Sequence, residues 1–196
     1  MPGIIKSSYI ILRPVTILIL LSISFMGYSQ SINDLKNEIL KITSTKNAVV
    51  GVSIMDSKGI DTLSINGDRH CPLQSVFKLH IGLAVLSEVD KGKFSLETKV
   101  RVSKKKLLPD LWSPLREENP NGGSFTVARL LQYSISQSDN VACDVLIRLI
   151  GTPKTVEDYI KSKGVTDLAI KINEEVMQAK WENMFLNWTT PKAASQ

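Results

Sequence analysis

The stretch SVFKLHIGLAVLS, residues 75–87, decides how the rest of this 196-residue chain is arranged. It contains one residue that is charged at neutral pH, Lys78, in a run that is otherwise almost wholly apolar. A helix that is hydrophobic on nearly all sides is typical of the interior of a domain. The stretch therefore predicts a buried core helix with a lysine inside it.

Ser75 and Lys78 stand three residues apart at the start of this helix. Residues at i and i+3 share a helix face, so the hydroxyl and the amine can meet. The helix dipole favours developing negative charge at Ser75. Loss of hydration favours a neutral Lys78 that can accept a proton. The pair is a candidate nucleophile and proton acceptor, although a capping serine followed by a lysine that reaches out to solvent would give the same spacing.

A second motif, Ser138-Asp139-Asn140, lies between two helical stretches. The Ser138 hydroxyl can pass a proton to a leaving amine nitrogen, and the Asn140 amide can hold a substrate amide. Asp139 is expected to accept hydrogen bonds that fix the loop. These residue types are also preferred at helix N-termini, so the tripeptide equally predicts the start of the next helix. The two interpretations are compatible.

A third motif, Asn173-Glu174-Glu175, opens a segment without predicted regular structure that extends to residue 190. Connections of that length are usually functional. The Glu174 carboxylate is a candidate general base for the activation of water. A solvated loop carboxylate is the alternative interpretation.

These motifs resemble those of a known enzyme family. Ser-x-x-Lys followed by Ser-Asp-Asn is the signature of class A β-lactamases and penicillin-binding proteins. From about residue 48 to residue 190 the chain is similar to class A serine β-lactamases. The similarity is greatest to the PER/VEB-like extended-spectrum branch, through Leu107-Leu108-Pro109, Trp112-Ser113-Pro114, Gln137 and Asn187-Trp188.

The resemblance implies an α/β fold of the β-lactamase/transpeptidase type. In this fold an all-helical layer packs against an α/β sheet layer, and the reaction centre lies at their junction. The implied partner is a small-molecule β-lactam. Neither a metal ion nor an organic cofactor is expected, and the implied full-length protein is a monomer.

The same resemblance assigns roles to individual residues. Ser75 is the nucleophile, Lys78 accepts or shuttles a proton, and Ser138 relays the proton to the lactam nitrogen. Glu174 activates the water that hydrolyses the acyl-enzyme. The implied substrate-binding residues are Asn140, which grips the acylamide side chain, Trp112, which walls the cleft, and Gln178, near the hydrolytic water.

The chain departs from the family pattern around the catalytic loop. Ile172 and Asn187 stand where many class A enzymes have an Arg–Asp bridge that pins this loop. The PER/VEB-like branch also lacks that bridge, which predicts a wider, more adaptable cleft. Gln178 replaces the asparagine or histidine that helps to hold the hydrolytic water, which predicts slower deacylation.

The family's third motif, Lys-Thr-Gly on a C-terminal strand, has no counterpart in these 196 residues. That strand also supplies one of two oxyanion donors, and loss of one donor costs about 10²–10³ in rate. The expectation is an N-terminal portion of the catalytic domain with an incomplete sheet, inactive and aggregation-prone by itself. The rival interpretations are a penicillin-binding sensor or peptidase that keeps its acyl group, and a non-functional exported fragment.

Residues 1–29 have the pattern of a secretory signal peptide. Lys6 and Arg13 precede an apolar run over residues 15–26, and small residues follow at 27–29. The run is shorter than the roughly 20 residues that a membrane span needs. We therefore expect export to the periplasm without stable membrane association, and a mature domain over residues 30–196.

Net charge gives no reason to expect a nucleic-acid partner. Removal of Lys6 and Arg13 lowers the formal charge from +5 by two. The basic run at residues 104–106 has no interleaved aromatic residues, so a solvated loop explains it better. Cys71 and Cys143 would meet an oxidising compartment after export, so a disulfide and two unpaired thiols both remain open.

Periodicity and turn signals place the other elements. We expect irregular structure between Lys91 and Thr126. The predicted regular elements are a helix from Ser31 to Thr43, strands at 48–55 and 60–66, and helices at 126–136, 140–150 and from 152 to about 164.

Overall fold

The computed structural model describes residues 31–196, so the predicted signal peptide at residues 1–29 lies outside the described residues. The chain divides into two units between Ala48 and Val49. In the first unit, helix α1 spans Ile32–Thr43. The Ser31 hydroxyl accepts from the Asp34 amide and the Asp34 carboxylate accepts from the Ser31 amide. This reciprocal cap confirms the predicted start of the helix.

The second unit begins with the predicted hairpin. Strands β1 (Val52–Met55) and β2 (Asp61–Ile65) pair antiparallel across a tight turn at residues 56–59. Leu63 and Ile65 are buried while Thr62 is exposed, because successive side chains of a strand point to opposite faces.

The central helix, α2, spans Phe77–Asp90 and follows a 3₁₀ turn at Gln74–Val76. The prediction that this helix is buried on nearly all sides is wrong for one face. Within residues 31–196 no element covers that face, and apolar composition alone cannot reveal what packs against a helix. Four apolar side chains lie exposed there: Val76, Leu79, Leu83 and Leu86.

Further helices surround the buried face of α2. Helix α4 (Val127–Leu131) continues as a π-helical turn over Gln132–Ser136, so the predicted helix 126–136 is confirmed in place but not in regularity. Helix α5 (Asn140–Ile150) has the predicted bounds and ends before Gly151. Helix α6 spans Pro153–Ser162.

The prediction of irregular structure between residues 91 and 126 is wrong at three places. Strands β4 (Lys99–Ser103) and β5 (Gly122–Thr126) pair antiparallel. A short helix, α3, lies between them at Pro114–Glu118. Alternation in Lys-Val-Arg-Val was a usable signal for β4. Because glycine weakens a strand, Gly122 argued against a strand here and β5 was not predicted. A Cβ atom at residue 122 would lie 2.2 Å from the Val102 carbonyl oxygen, so the pairing requires glycine.

The segment 173–190, also predicted as irregular, contains helix α7 (Glu174–Ala179) and a 3₁₀ turn at 181–185. A small antiparallel sheet brings its end back beside Ser75. The order in this sheet is β3 (Cys71–Pro72), β7 (Trp188–Thr189), β6 (Leu168–Ala169). The last helix, α8 (Pro191–Ser195), lies against β1, where the Ser195 hydroxyl is 3.0 Å from that of Ser53.

The two cysteines are not joined to each other. Cys143 is buried, Cys71 is half-buried, and both are free thiols, so the alternative of a disulfide between them is wrong. Among residues 31–196, no helix is both long enough and apolar enough to cross a membrane.

Candidate active site

The site is organised around the buried ammonium group of Lys78, which is 2% exposed. Its Nζ lies 3.0 Å from Ser75 Oγ and 2.8 Å from Asn140 Oδ1, and it forms an ion pair with Glu174 Oε1. These partners come from the start of α2, the start of α5 and the start of α7. The structure therefore brings together four of the side chains that the sequence singles out.

Lys78 acts as a donor in this arrangement. An ammonium group has three protons, and each has an acceptor among Ser75, Asn140 and Glu174. The carboxylate of Glu174, itself 1% exposed, compensates the charge that burial would otherwise disfavour.

The nucleophile candidate is open to solvent and linked to a second hydroxyl. Ser75 is exposed, and Ser138 Oγ donates to Ser75 Oγ at 3.0 Å. Ser138 has a left-handed backbone conformation with φ of 55°, which is uncommon for a residue other than glycine. The hydroxyls of Ser138 and Ser75 thus continue the hydrogen-bonded chain that begins at Lys78.

Asp139 holds the loop around these residues, as predicted. Its buried carboxylate accepts from the Ser113 hydroxyl at 2.9 Å, from the Leu115 amide at 2.7 Å and from the Ala142 amide at 2.8 Å. The last of these contacts makes Asp139 the N-cap of α5, which confirms the capping interpretation of the motif.

Trp112 is not a core residue, since its side chain is 60% exposed. Its indole N–H donates to the Gln137 carbonyl at 3.2 Å, and its own carbonyl accepts from the Asn140 amide at 3.0 Å. The ring therefore stands beside the Ser138 loop, where it can wall an open cleft.

Asp144, a residue that the sequence motifs did not single out, positions Glu174. Its carboxylate, 1% exposed, accepts from the Glu174 amide at 2.8 Å, the Glu175 amide at 3.1 Å and Asn173 Nδ2 at 2.8 Å. Burial raises the pKa of Asp144 to about 6, against the opposing effect of these hydrogen bonds. A signal was present, because Asp144 lies four residues after Asn140 and shares its helix face.

Gln178 lies one helical turn after Glu174 on α7. Its amide nitrogen is 3.3 Å from Glu174 Oε2, the oxygen opposite the one that meets Lys78. Both carboxylate oxygens of Glu174 therefore have a protein partner, and Gln178 stands next to the position where a water could meet Glu174.

The ends of the segment around Glu174 are joined without the Arg–Asp bridge of many relatives. The fully buried Asn187 accepts from the amides of Lys171 (2.8 Å) and Ile172 (3.1 Å) and donates to the Ile172 carbonyl at 2.9 Å. A neutral side chain thus pins both ends through the backbone.

A second buried carboxylate, Glu157 of α6, holds the same end of the segment. It accepts from the Ile170 amide at 2.9 Å, from Lys161 at 2.8 Å and from Lys171 at 2.9 Å. Burial raises its pKa, but these hydrogen bonds and charges outweigh burial and lower the pKa to about 2.

Among the described residues, few other groups near the Lys78–Glu174 pair could bind a metal ion. Burial raises the pKa of Cys143 well above its ordinary value, and the nearby Glu174 charge adds to that effect, so its thiol stays neutral. Within residues 31–196, no three His, Cys, Asp or Glu side chains are grouped so that they could hold a metal ion.

Comparison with known proteins identifies the relatives of this chain. The model of the beta-lactamase enzyme family matches residues 33–196. Beta-lactamase VEB-1 of Pseudomonas aeruginosa is 44% identical over 182 residues, which are 92% of this chain and 61% of that protein. Extended-spectrum beta-lactamase PER-1 of the same organism is 40% identical over 191 residues, or 95% of this chain and 62% of that protein.

A solved structure shows the same fold. A beta-lactamase from Chitinophaga pinensis DSM 2588 superposes with a TM-score of 0.77 at 44% identity, over 80% of this chain and 58% of that one. The predicted fold class is therefore confirmed. The chain spans about three-fifths of the length of these relatives.

Proposed function

This chain belongs to the beta-lactamase enzyme family, in the extended-spectrum branch of the class A serine enzymes, and on that premise we propose that the whole protein hydrolyses β-lactam antibiotics. Penicillins and cephalosporins are the proposed substrates, and antibiotic resistance is the proposed consequence. One observation carries the proposal: the buried Lys78 ammonium links Ser75 Oγ to the Glu174 carboxylate.

In the acylation step, Ser75 Oγ attacks the lactam carbonyl carbon and the carbon–nitrogen bond of the ring breaks. The Ser75 proton leaves towards Lys78 or Glu174, and the lactam nitrogen receives a proton through Ser138. The 3.0 Å contact between the two serine hydroxyls supports this relay. Asn140, whose oxygen meets Lys78 at 2.8 Å, is placed to bind the substrate amide with its NH₂ group.

In the deacylation step, Glu174 takes a proton from a water that attacks the Ser75 ester. The ester bond breaks, Ser75 regains its proton, and a ring-opened acid leaves. The contact of Gln178 with Glu174 Oε2 supports a role for Gln178 beside that water. The longer side chain of Gln178, compared with asparagine, is consistent with slow deacylation.

The finer proposal concerns the 196-residue polypeptide by itself. Its sequence contains no Lys-Thr-Gly motif, and in the family that motif binds the substrate carboxylate and adds an oxyanion donor. We propose that this polypeptide does not turn over β-lactams when expressed alone. Measurable cephalosporin hydrolysis by it would contradict this.

We also propose the cellular setting from the sequence. Residues 1–29 are proposed as a signal peptide that directs a monomeric enzyme, whose mature domain includes residues 30–196, to the periplasm. The basic and apolar pattern of the leader supports this. Mass spectrometry of the N-terminus of the exported protein tests whether cleavage follows residue 29.

Glu174→Gln in the complete protein tests the proposed function. We expect kcat on a chromogenic cephalosporin to fall by about 10²–10⁴, because the general base is lost. The acyl-enzyme at Ser75 should then accumulate and appear as a mass increase of the intact protein.

Glu175→Gln is the matched control, because Glu175 is the adjacent, exposed carboxylate without contact to Lys78. It should keep the activity of the unmodified protein. Equal activity of both variants would contradict the role of Glu174. A stable acyl group on the unmodified protein would instead identify a penicillin-binding sensor or peptidase.

A further inference from the structure

The guanidinium group of Arg116 contacts the backbone of residues 108–111, the segment that leads to Trp112. Arg116 is on the short helix α3, and its Nη1 is 2.9 Å from the Pro109 carbonyl oxygen and 2.7 Å from that of Leu111. The Leu108 carbonyl oxygen is also within hydrogen-bond distance of Nη1. One guanidinium nitrogen thus contacts three carbonyl oxygens of the segment 108–111, which belongs to no strand or helix.

Trp112 is therefore fixed from both sides along the chain. On its C-terminal side, Asp139 accepts from Ser113 and Leu115, which ties the chain to the Ser138 loop. On its N-terminal side, only Arg116 makes comparable side-chain contacts among the described residues. Charge-assisted hydrogen bonds of this kind are about twice as strong as neutral ones.

The segment held by Arg116 also faces the helix that carries Glu174. Residues 108–111 line one side of a cavity of about 420 Å³, and Glu175, Gln178 and Ala179 of α7 line the other. A shift of this segment changes the position of the Trp112 ring and the width of this cavity together. It does not change the Lys78 contacts, which come from other elements.

We propose that Arg116 is a positioning residue, which fixes residues 108–111 and the exposed Trp112 ring so that the cleft is preformed for substrate. This proposal rests on the proposed function. It follows that Arg116 acts on substrate affinity, because the wall has to be ordered before substrate binds, and that it leaves the chemical step at Ser75 unchanged.

Arg116→Lys and Arg116→Met in the complete protein test this role. Lysine keeps the charge and a donor nitrogen, but its unbranched stem ends in a compact ammonium instead of the rigid, planar guanidinium that places Nη1 among the three carbonyl oxygens. We expect KM for a β-lactam to rise by about tenfold in both variants while kcat changes by less than about threefold. A merely structural role would lower the amount of folded enzyme without this separation of KM from kcat.

Arg129→Met is the matched control, since Arg129 contacts Gln132, Tyr133 and the exposed Glu118 at the end of α3, but no side chain or carbonyl in residues 108–112. It should leave KM unchanged. A proportional fall of kcat in the Arg116 variants, or an unchanged KM, would overturn the proposal.

Hydrogen exchange in the complete protein separates this proposal from the proposed function. The amides of residues 110–113 should exchange about tenfold faster in Arg116→Met than in Arg129→Met. Equal exchange rates would overturn the role of Arg116, whatever the activity of the enzyme. Faster exchange in a complete protein that hydrolyses no β-lactam would uphold the positioning and refute the proposed function alone.

Discussion

Two buried carboxylates hold the segment around Glu174, and they are opposite in their electrostatics. Asp144 of α5 accepts three N–H groups from residues 173–175 at the reaction centre. Glu157 of α6 accepts the Ile170 amide where the segment begins. Burial raises the pKa of Asp144 to about 6, whereas the lysines and hydrogen bonds around Glu157 lower its pKa to about 2.

The difference lies in the opposing charge. Glu157 meets the ammonium groups of Lys161 and Lys171 at 2.8 and 2.9 Å. Within the described part of the chain, the one basic group that pairs with Asp144 is the guanidinium of Arg148, at 3.9 Å, and Asp144 also lies near the negative charge of Glu174. Both carboxylates accept backbone amides, yet only the charge of Glu157 is balanced by close ammonium groups.

This comparison separates two uses of a buried acid. Glu157 secures the segment at a place that takes no part in the proposed chemistry, and it adds to the stability of the folded chain. Asp144 fixes the backbone of Glu174 itself, and its ionisation opposes folding. Such an arrangement is expected where position matters more than stability.

The largest expected effect is the loss of Glu157. In Glu157→Gln the lysines lose their carboxylate, and we expect the free energy of unfolding at pH 7 to fall by about 3–4 kcal/mol, from a pKa of about 2 against an ordinary 4.5. Because the folded-state pKa is lowered, the stabilisation is present above pH 4.5 and is lost as the pH falls towards 2. Urea unfolding across this pH range measures it.

An exposed carboxylate on the same helix gives the control for this variant. Asp158→Asn removes a solvent-exposed ion pair with Lys154, which should contribute less than about 1 kcal/mol. Similar losses in the two variants would show that the burial of Glu157 does not matter. The contrast between Glu157 and Asp144 would then fail.

Asp144 should show the opposite dependence on pH. Its folded-state pKa of about 6 lies above the ordinary 3.8, so its favourable contribution is present below pH 3.8 and is lost as the pH rises through 6. Across that window the ionisation of Asp144 should cost about 3 kcal/mol. Asp144→Asn should flatten this part of the curve, as urea unfolding at pH 4 and pH 7 would show. An unchanged slope would mean that another group titrates.

The sequence predicted those parts of the molecule that local signals encode. The cap of α1, the hairpin and the bounds of α5 follow from neighbouring residues, and family motifs located Ser75, Lys78, Ser138 and Glu174. The two-residue strands β3, β6 and β7 carry no periodicity, so nothing local could reveal them. Glu157 was missed because it acts on the Ile170 amide 13 residues away, a distance that no spacing rule spans. For Asp144 the only local signal was the helix face that it shares with Asn140, because the backbone that it contacts lies 30 residues away.

The smallest expected effect is the loss of stability when one of the two lysines that pair with Glu157 is removed. Lys161 and Lys171 are 38% and 57% exposed, so each single change to methionine should cost only about 0.5–1 kcal/mol at pH 7. The double variant should cost more than their sum, because Glu157 is then buried without an opposing charge and its pKa should rise as that of Asp144 does. Lys163→Met, which removes a lysine that lies over Tyr159 and does not touch Glu157, is the control. If the double variant kept the acid-side slope of the unmodified chain, the lysines would not account for the difference between Glu157 and Asp144.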